Sequence, residues 1–282
     1  MVQIAEYKSK RNELMLKYEN YVRSWLKTSG ANSYIADNMA FFRDGVVKPE
    51  IWFEETNKVR PLFILKEANT GIKFNDDSEV EGIVNEYNKK WGINSNDRSY
   101  FEFAEYEFDD IQIGKFKTWK KVVRAAIGLI NDDDTYKTVD LNTRYSSNCP
   151  KTEIPGYNQG VYKYRTGNVD YIDAVSRIAV IDIKKIGAGA NVDSKLSKYG
   201  KTYLEHLDAT KNLLIEQIKL IQPTVIVCCC GNDNEYVMNL LSSELSDSKK
   251  DTKWIPANHP GNSYKSDIEF CEPIIQKYRC KI

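Results

Sequence analysis

"RPLFILKEANTG", residues Arg60 to Gly71, begins as an apolar run and changes abruptly to lysine, glutamate and asparagine. The apolar part, Pro61–Leu65, is short and apolar at consecutive positions, which is typical of a strand buried on both faces of a parallel sheet. We therefore predict that it is the first central strand of a sheet. The polar cluster at its end then needs an explanation, because a strand that serves only packing does not require one.

The rest of the chain alternates apolar strands with helical patterns. Further strands are predicted at Ile178–Ile183, at Thr224–Asn232 (strand and turn), within Trp254–Asp267, and at the edge over Glu50–Glu55. Helices are predicted over Ile4–Lys27, Phe116–Ile130, Leu204–Pro223, Asn234–Leu245 and Ile268–Tyr278. This alternation predicts an α/β fold, a three-layer α/β/α sandwich with a central, mostly parallel sheet.

The length of 282 residues permits one large domain or two small ones, and we favour a single domain over 1–282. It would carry an N-terminal helical extension over about 1–48 and an insertion or lid over about 75–170, much of it dense in Gly, Pro, Asn and Asp. The helix Phe116–Ile130 has a basic face, which we expect to be solvated.

Composition places the chain among ordinary globular proteins, with 41% hydrophobic and 28% charged residues. The 40 basic and 40 acidic residues cancel, so any contact with nucleic acid must come from a local patch. The start of the chain lacks the apolar core of a signal peptide, and no run is long enough to span a membrane. A cytoplasmic protein without membrane contact is expected, and no protein partner is evident.

Three of the six cysteines are consecutive, Cys228 to Cys230. Neighbouring residues of a strand point to opposite faces of the sheet, so these thiols cannot converge on one metal ion. The others form no CxxC pair, and a zinc or iron–sulfur site is not expected. We interpret the triplet as buried small hydrophobes and expect no metal or cofactor.

Ligands of open α/β sheets bind outside the carboxyl ends of the strands, and four such ends carry polar residues. They are Lys66 to Asn69, Asp182 to Lys185, Gly231 to Asn232, and Asn258 to Asn262. One of the two histidines, His259, belongs to the last group, whereas His206 lies within a helix and is expected to be a surface or packing residue. These strand ends are the candidate site.

In this order of motifs the sequence resembles the uracil-DNA glycosylase superfamily. "KEANTG" is similar to its first motif (GQDPY, GEAPG or GINPG), "AVIDIKK" to a strand ending in an Asn-containing motif, "EQIKLIQP" with "TVIVCCCGN" to a helix and a strand ending in Gly, and "NHPGN" to its "HPS" loop. The resemblance covers Pro61–Gly71 and about 177–261. It implies DNA as partner and a glycosylase that flips a base out of the stack and hydrolyses its N-glycosidic bond.

The resemblance also implies roles for individual residues. His259 would donate a hydrogen bond to O2 of the base, and Glu67 or Asn69 would orient the water, since Ala68 replaces the usual aspartate. Phe74 and Asn262 are assigned to base binding. DNA phosphates are assigned to five residues at the strand ends: Lys66, Lys184, Lys185, Gly187 and Gly189.

Asp182 falls where family members use asparagine to read flipped uracil. An ionised carboxylate only accepts hydrogen bonds, which suits the amino group of cytosine better than the O4 acceptor of uracil. The expected substrate is therefore a cytosine-type base, and because removing normal cytosine would be lethal to the host, a modified one. Defence against phage with modified DNA is one setting for such an enzyme.

Other interpretations remain open at this stage. Lys66 and Glu67 fit a simple ion pair at a loop, and Asp182 fits a helix cap or a partner of Lys184. A non-catalytic sensor of nucleotide or modified DNA is favoured by the missing motif aspartate. An unrelated α/β hydrolase or nucleotide-binding enzyme is disfavoured, since the chain has no GxSxG and no P-loop.

Overall fold

A central sheet of five strands organises the chain in the computed structural model, which describes residues 2–30, 33–38, 41, 44–69, 117–139, 174, 176–188, 202–245, 252–261 and 264–280. The strands are β1 (Gly45–Val46), β2 (Pro61–Asn69), β3 (Ala179–Ala188), β4 (Val225–Cys228) and β5 (Lys253–Pro256). The helices are α1 (Val2–Thr28), α2 (Ser33–Asn38), α3 (Pro49–Trp52), α4 (Lys117–Asn131), α5 (Thr135–Thr138), α6 (Tyr203–Ile221), α7 (Asn234–Ser242) and α8 (Asp267–Arg279).

The sheet order is β1-β3-β2-β4-β5, and only the edge pair β1–β3 is antiparallel. Residues Leu65 and Asp182 are partners in the β2–β3 register, and Ile64 is the partner of Cys228 between β2 and β4. The mostly parallel α/β sheet expected from the sequence is thus confirmed. The apolar run at Pro61 predicted the central strand correctly because a strand with neighbours on both sides and helices on both faces has no polar face.

Alternating residues of the strands enter two apolar clusters, one on each face of the sheet. Phe63 and Leu65 pack with α4 and α8 on the first face, whereas Leu62 and Ile64 pack with α1 and α6 on the second. Helices therefore cover both faces. Both α6 and α8 begin with a reciprocal capping box, at Thr202 and Ser266, which fixes their first turns.

The N-terminal helix belongs to the core. Four residues of α1 are fully or almost fully buried on the second face: Tyr7, Leu14, Met15 and Tyr18. Gly30, at φ +89°, follows the helix, and this left-handed backbone is typical of a helix end. The helix α1, which belongs to the predicted N-terminal extension, therefore supplies part of one helical layer.

The predicted edge strand Glu50–Glu55 is wrong. Pro49 starts the short helix α3, since its fixed φ suits the first helical position, and the edge strand is Gly45–Val46 instead. The Trp52 indole N–H donates to the Ile221 carbonyl at 2.7 Å, which buries the indole against the end of α6. A tertiary contact therefore decided the local structure here.

The described part of the predicted insertion or lid, residues 117–139, contains a core helix. Side chains of α4 such as Val123 and Ile127 are completely buried, so this helix forms part of a layer of the fold. The prediction that the basic face of this helix is solvated is wrong. Lys120 and Arg124 pair with Asp267 of α8 at 3.2 and 3.8 Å, and Lys121 is only 2% exposed.

Among the described helices, none is both long and apolar enough to cross a membrane.

Candidate functional site

The order of the parallel strands, β3-β2-β4-β5, reverses direction between β2 and β4. The chain moves from β2 to β3 on one side and then crosses to β4 and β5 on the other. In doubly wound sheets, such a switch point opens a crevice at the carboxyl ends of the two strands, where ligands bind. Lys66 lies near the carboxyl end of β2, and Gly231–Asp233 follow β4. The fold therefore places these residues at the preferred ligand position.

A three-residue cluster joins the two strand ends. The Lys66 ammonium lies 3.2 Å from Asp233 Oδ2 and 4.8 Å from the centroid of the Tyr203 ring. The Tyr203 hydroxyl donates a hydrogen bond to the same Oδ2 atom. The lysine side chain is 13% exposed and the aspartate side chain 33% exposed. The charges are thus partly desolvated at the switch point.

Asn234 fixes the loop after β4 to the end of β5. Its side-chain oxygen accepts from the Cys230 amide at 2.9 Å, and its side-chain nitrogen donates to the Ala257 carbonyl at 2.7 Å. The Gly231 amide also donates to the Ala257 carbonyl, at 3.2 Å. These contacts set the start of the loop that carries His259.

The protonation of His259 follows from its surroundings. The Gly261 amide donates to Nδ1 at 3.1 Å, so Nδ1 is the acceptor and a neutral ring carries its proton on Nε2. A Cβ at position 261 would lie 3.0 Å from Nδ1, so glycine permits this close approach. Nε2 is buried and makes no hydrogen bond to the residues that the structure describes. The ring thus presents an unused donor inside the site.

The electrostatics keep this histidine neutral. Burial, with the positive charges of Lys66 and Lys121, lowers the pKa of His259 from 6.5 to about 4. At neutral pH the imidazole is therefore uncharged, while its surroundings are positive. A neutral N–H donor in a positive field favours an electron-rich oxygen, such as a carbonyl oxygen that gains negative charge during a reaction.

The cysteine triplet is structural, as predicted. Cys228 and Cys230 belong to the cluster on the second face and Cys229 to the first, and all three are completely buried. A hydrogen bond with Cys228 and burial raise the pKa of Cys230 well above its usual value, so the thiol stays protonated. The Cys230 thiol is consequently a poor nucleophile.

Asp182 is completely buried on β3, next to β2 and one residue below the level of Lys66. Its backbone is held on both sides by an ion pair, since its amide donates to Asp44 Oδ2 at 2.7 Å and its carbonyl accepts from Lys185 Nζ at 2.9 Å. Lys185 and Asp44 form the pair itself, at 2.6 Å. This clamp gives Asp182 one backbone position near the switch point.

The phosphate contact assigned to Lys185 needs correction. The Lys185 side chain is 0% exposed and its ammonium is held by Asp44, so it has no access to DNA. Burial lowers the pKa of Lys185, and the pair with Asp44 opposes that effect. Lys184 is only 7% exposed, which leaves little surface for a phosphate. Lys66 pairs with Asp233 at 3.2 Å and is partly exposed, and its contact with phosphate stays a prediction.

The other predicted site residues are only partly described. The backbones of Glu67 and Asn69 belong to β2, opposite Lys184 and Ala188 of β3, and Gly187 belongs to β3, but the side chains of these positions lie outside the described part of the chain. Phe74, Gly189 and Asn262 lie outside the described residues altogether. Their roles remain predictions. His206 is buried against Trp25, with ring centroids 4.6 Å apart, as a packing histidine.

Sequence reasoning missed three members of the site, Tyr203, Asp233 and Lys121. Asp233 follows the Gly231–Asn232 pair directly, so proximity to a strand end was an available signal. Tyr203 and Lys121 lie in helices remote in sequence from the strand ends, and nothing in their local pattern distinguishes them from ordinary helical residues.

Comparison of the chain with protein-family models, with curated proteins and with solved structures gives no significant match.

Proposed function

We propose that this protein is a DNA glycosylase that hydrolyses the N-glycosidic bond of a flipped, modified cytosine-type base and leaves an abasic site. The proposal combines the resemblance in sequence to the uracil-DNA glycosylase superfamily with the chemistry of the switch-point site. The observation that carries it is the buried Nε2 donor of a neutral His259, which has no acceptor among the described residues and lies in a positive environment.

Glycosidic cleavage transfers the bonding electrons to the base, so negative charge develops on its ring and on O2. The Nε2–H group of His259 is suited to donate to that oxygen. Positive charge from Lys66 and Lys121, which already act on the imidazole, would stabilise the same negative charge. A neutral donor is effective because it stabilises the anion without having to transfer its proton.

Recognition of the base is assigned to Asp182. Its carboxylate accepts hydrogen bonds, and a buried carboxylate is stabilised by a donor such as an exocyclic amino group. The backbone clamp by Asp44 and Lys185 would hold the reading group at one depth. Asp182→Asn is expected to weaken release of cytosine-type bases and to admit uracil, whereas unchanged selectivity would remove Asp182 from the pocket.

The test is base release by the purified protein from DNAs that contain uracil, cytosine, hydroxymethylcytosine or glucosylated hydroxymethylcytosine, and from phage genomes with modified bases. Released base and abasic sites are measured by mass spectrometry. Release of a modified cytosine would support the proposal, and release of uracil alone would contradict the assignment of Asp182.

His259→Ala provides the matched test of mechanism. It is expected to lower the single-turnover rate about 100- to 1,000-fold, the range for loss of one preorganised donor to a developing anion. The thermal midpoint should fall little, since Nε2 supports no contact among the described residues. Equal loss of folding and activity would indicate a structural histidine.

Ala68, which replaces the usual aspartate, favours a second candidate, a sensor that binds modified DNA without cutting it. Binding to one modified DNA with no base release from any DNA in the panel would establish the sensor and reject the glycosylase.

A further inference from the structure

The proposed hydrolysis needs a group that orients the attacking water, and Ala68 stands where the resemblance places the usual aspartate. We propose that Asp233 supplies this carboxylate from the neighbouring strand end. The inference rests on the proposed function and names a further catalytic residue for it. Its support is the position and hydrogen bonding of Asp233 at the switch point.

Asp233 does not cap the helix that follows it. It is the residue before α7, where an aspartate usually caps the helix by accepting from a backbone amide, yet its side chain makes no such hydrogen bond. The carboxylate is instead directed across the switch point to Lys66 and Tyr203.

Its two oxygens are in different environments. Oδ2 accepts from both the Lys66 ammonium and the Tyr203 hydroxyl, which fixes the carboxylate in one orientation. Oδ1 receives no hydrogen bond from the described residues, and the side chain is 33% exposed. A fixed, partly exposed carboxylate can hold a water molecule in a defined direction through its second oxygen.

Lys66 connects this carboxylate with the leaving-group side of the site. The same ammonium that lies 3.2 Å from Asp233 also lowers the pKa of His259, so one positive charge acts on both groups. A substrate bound at this edge could therefore contact the Nε2 donor with its base and the Asp233 water with its sugar.

The reaction is a hydrolysis that needs no other reactant. The C1′–N bond breaks and its electron pair goes to the base, whose O2 is stabilised by His259. The water oxygen forms the new bond to C1′ while its proton passes to Asp233 Oδ1. That proton then returns through solvent to the base, which leaves neutral, and the sugar becomes an abasic hemiacetal.

The experiment compares the single-turnover rate of base release, the dissociation constant for DNA and the thermal midpoint of four proteins: wild type, Asp233→Asn, Asp233→Ala and Asp208→Asn. Asp208 is the matched control, because its carboxylate accepts from Tyr236 across the same two helices, α6 and α7, at an exposed position. The Asp233→Ala protein is assayed with and without sodium formate, a small carboxylate that can occupy the emptied space.

We expect Asp233→Asn to release base about 100- to 10,000-fold more slowly, the range for loss of a general base. DNA binding should stay within about threefold of wild type, a free-energy change below about 0.7 kcal/mol. Formate should restore part of the rate of Asp233→Ala, which a purely structural role would not permit. Asp208→Asn should behave like wild type.

If Asp233→Asn releases base at the wild-type rate, Asp233 is not the general base, although the protein is still a glycosylase. A rate loss that matches the fall in thermal midpoint, without formate rescue, would also overturn the assignment. If the wild-type protein releases no base from any DNA of the panel, the proposed function fails, and the role of Asp233 fails with it.

Discussion

Two lysine–aspartate pairs lie toward the carboxyl ends of the neighbouring strands β2 and β3, and their environments differ. The Lys185–Asp44 pair is 0% exposed on both sides, and further donors reach Asp44 from Gln217 at 2.6 Å and from the Asp182 amide at 2.7 Å. The Lys66–Asp233 pair is 13% and 33% exposed and leaves Oδ1 without a donor among the described residues. The first pair is satisfied by hydrogen bonds within the protein, whereas the second pair can accept a further hydrogen bond at Oδ1.

The contrast separates an ion pair that is satisfied within the protein from one that can still bind a ligand. A buried ion pair is stable only when further hydrogen bonds satisfy its remaining donors and acceptors, as they do around Asp44. Where such satisfaction is incomplete beside an unused histidine donor, a ligand is the natural completion of the network.

The largest effect is expected from breaking the buried pair. Asp44→Ala leaves the Lys185 ammonium in the core without its carboxylate and should lower the free energy of unfolding by about 3–5 kcal/mol. Urea denaturation measures the change. The double variant Asp44→Ala/Lys185→Met, which removes both charges, should recover part of that loss. A loss below about 1 kcal/mol in the single variant would contradict the structural assignment.

The next effect concerns pH and His259. Its pKa is about 4 in the folded state, against 6.5 for an ordinary histidine, so between these values the unfolded chain binds the proton more strongly. Stability should therefore fall as the pH decreases from about 6.5 to 4, by up to about 3 kcal/mol from this group, at 1.36 kcal/mol per pKa unit. His259→Gln should lack this component in urea titrations at each pH. Parallel curves for the two proteins would refute it.

Lys66→Met sharpens the contrast with Lys185. Because the Lys66 pair is partly exposed, its loss should change the free energy of unfolding by only about 1 kcal/mol. The rate of base release should fall about 100-fold, since a charge that stabilises the departing base is removed. Lys185→Met is the comparison and should show the reverse, a large loss of stability. Similar stability losses in both variants would end the distinction.

The smallest effect is expected at Tyr203. Tyr203→Phe removes the hydroxyl that orients Asp233 but keeps the ring under Lys66, so base release should slow by roughly tenfold, about 1.4 kcal/mol. Tyr236→Phe removes an equivalent tyrosine–aspartate bond at the exposed Asp208 and should leave the rate unchanged. Equal rates in the two variants would show that the hydroxyl does not position Asp233.

Sequence patterns predicted most elements of the fold because their causes are local. Strands β2 and β3 are apolar runs, and α6 carries an amphipathic pattern, a capping box and a following proline. The edge strand predicted at Glu50–Glu55 was wrong because a helix is favoured there by Pro49 and by the contact of Trp52 with Ile221, 169 residues away. A short apolar segment carries too few residues to decide between strand and helix by its period.

Local patterns in the sequence were enough to predict the α/β class, the central strand and the place of His259 after a strand. Which charges are available for chemistry depends on the three-dimensional arrangement. Lys185 resembles Lys66 in sequence, yet its partner Asp44 lies 141 residues away and buries it, while Asp233 lies 167 residues from Lys66. Desolvation and ion pairing depend on distances in space, and those distances exist only after the strands have been ordered in the sheet.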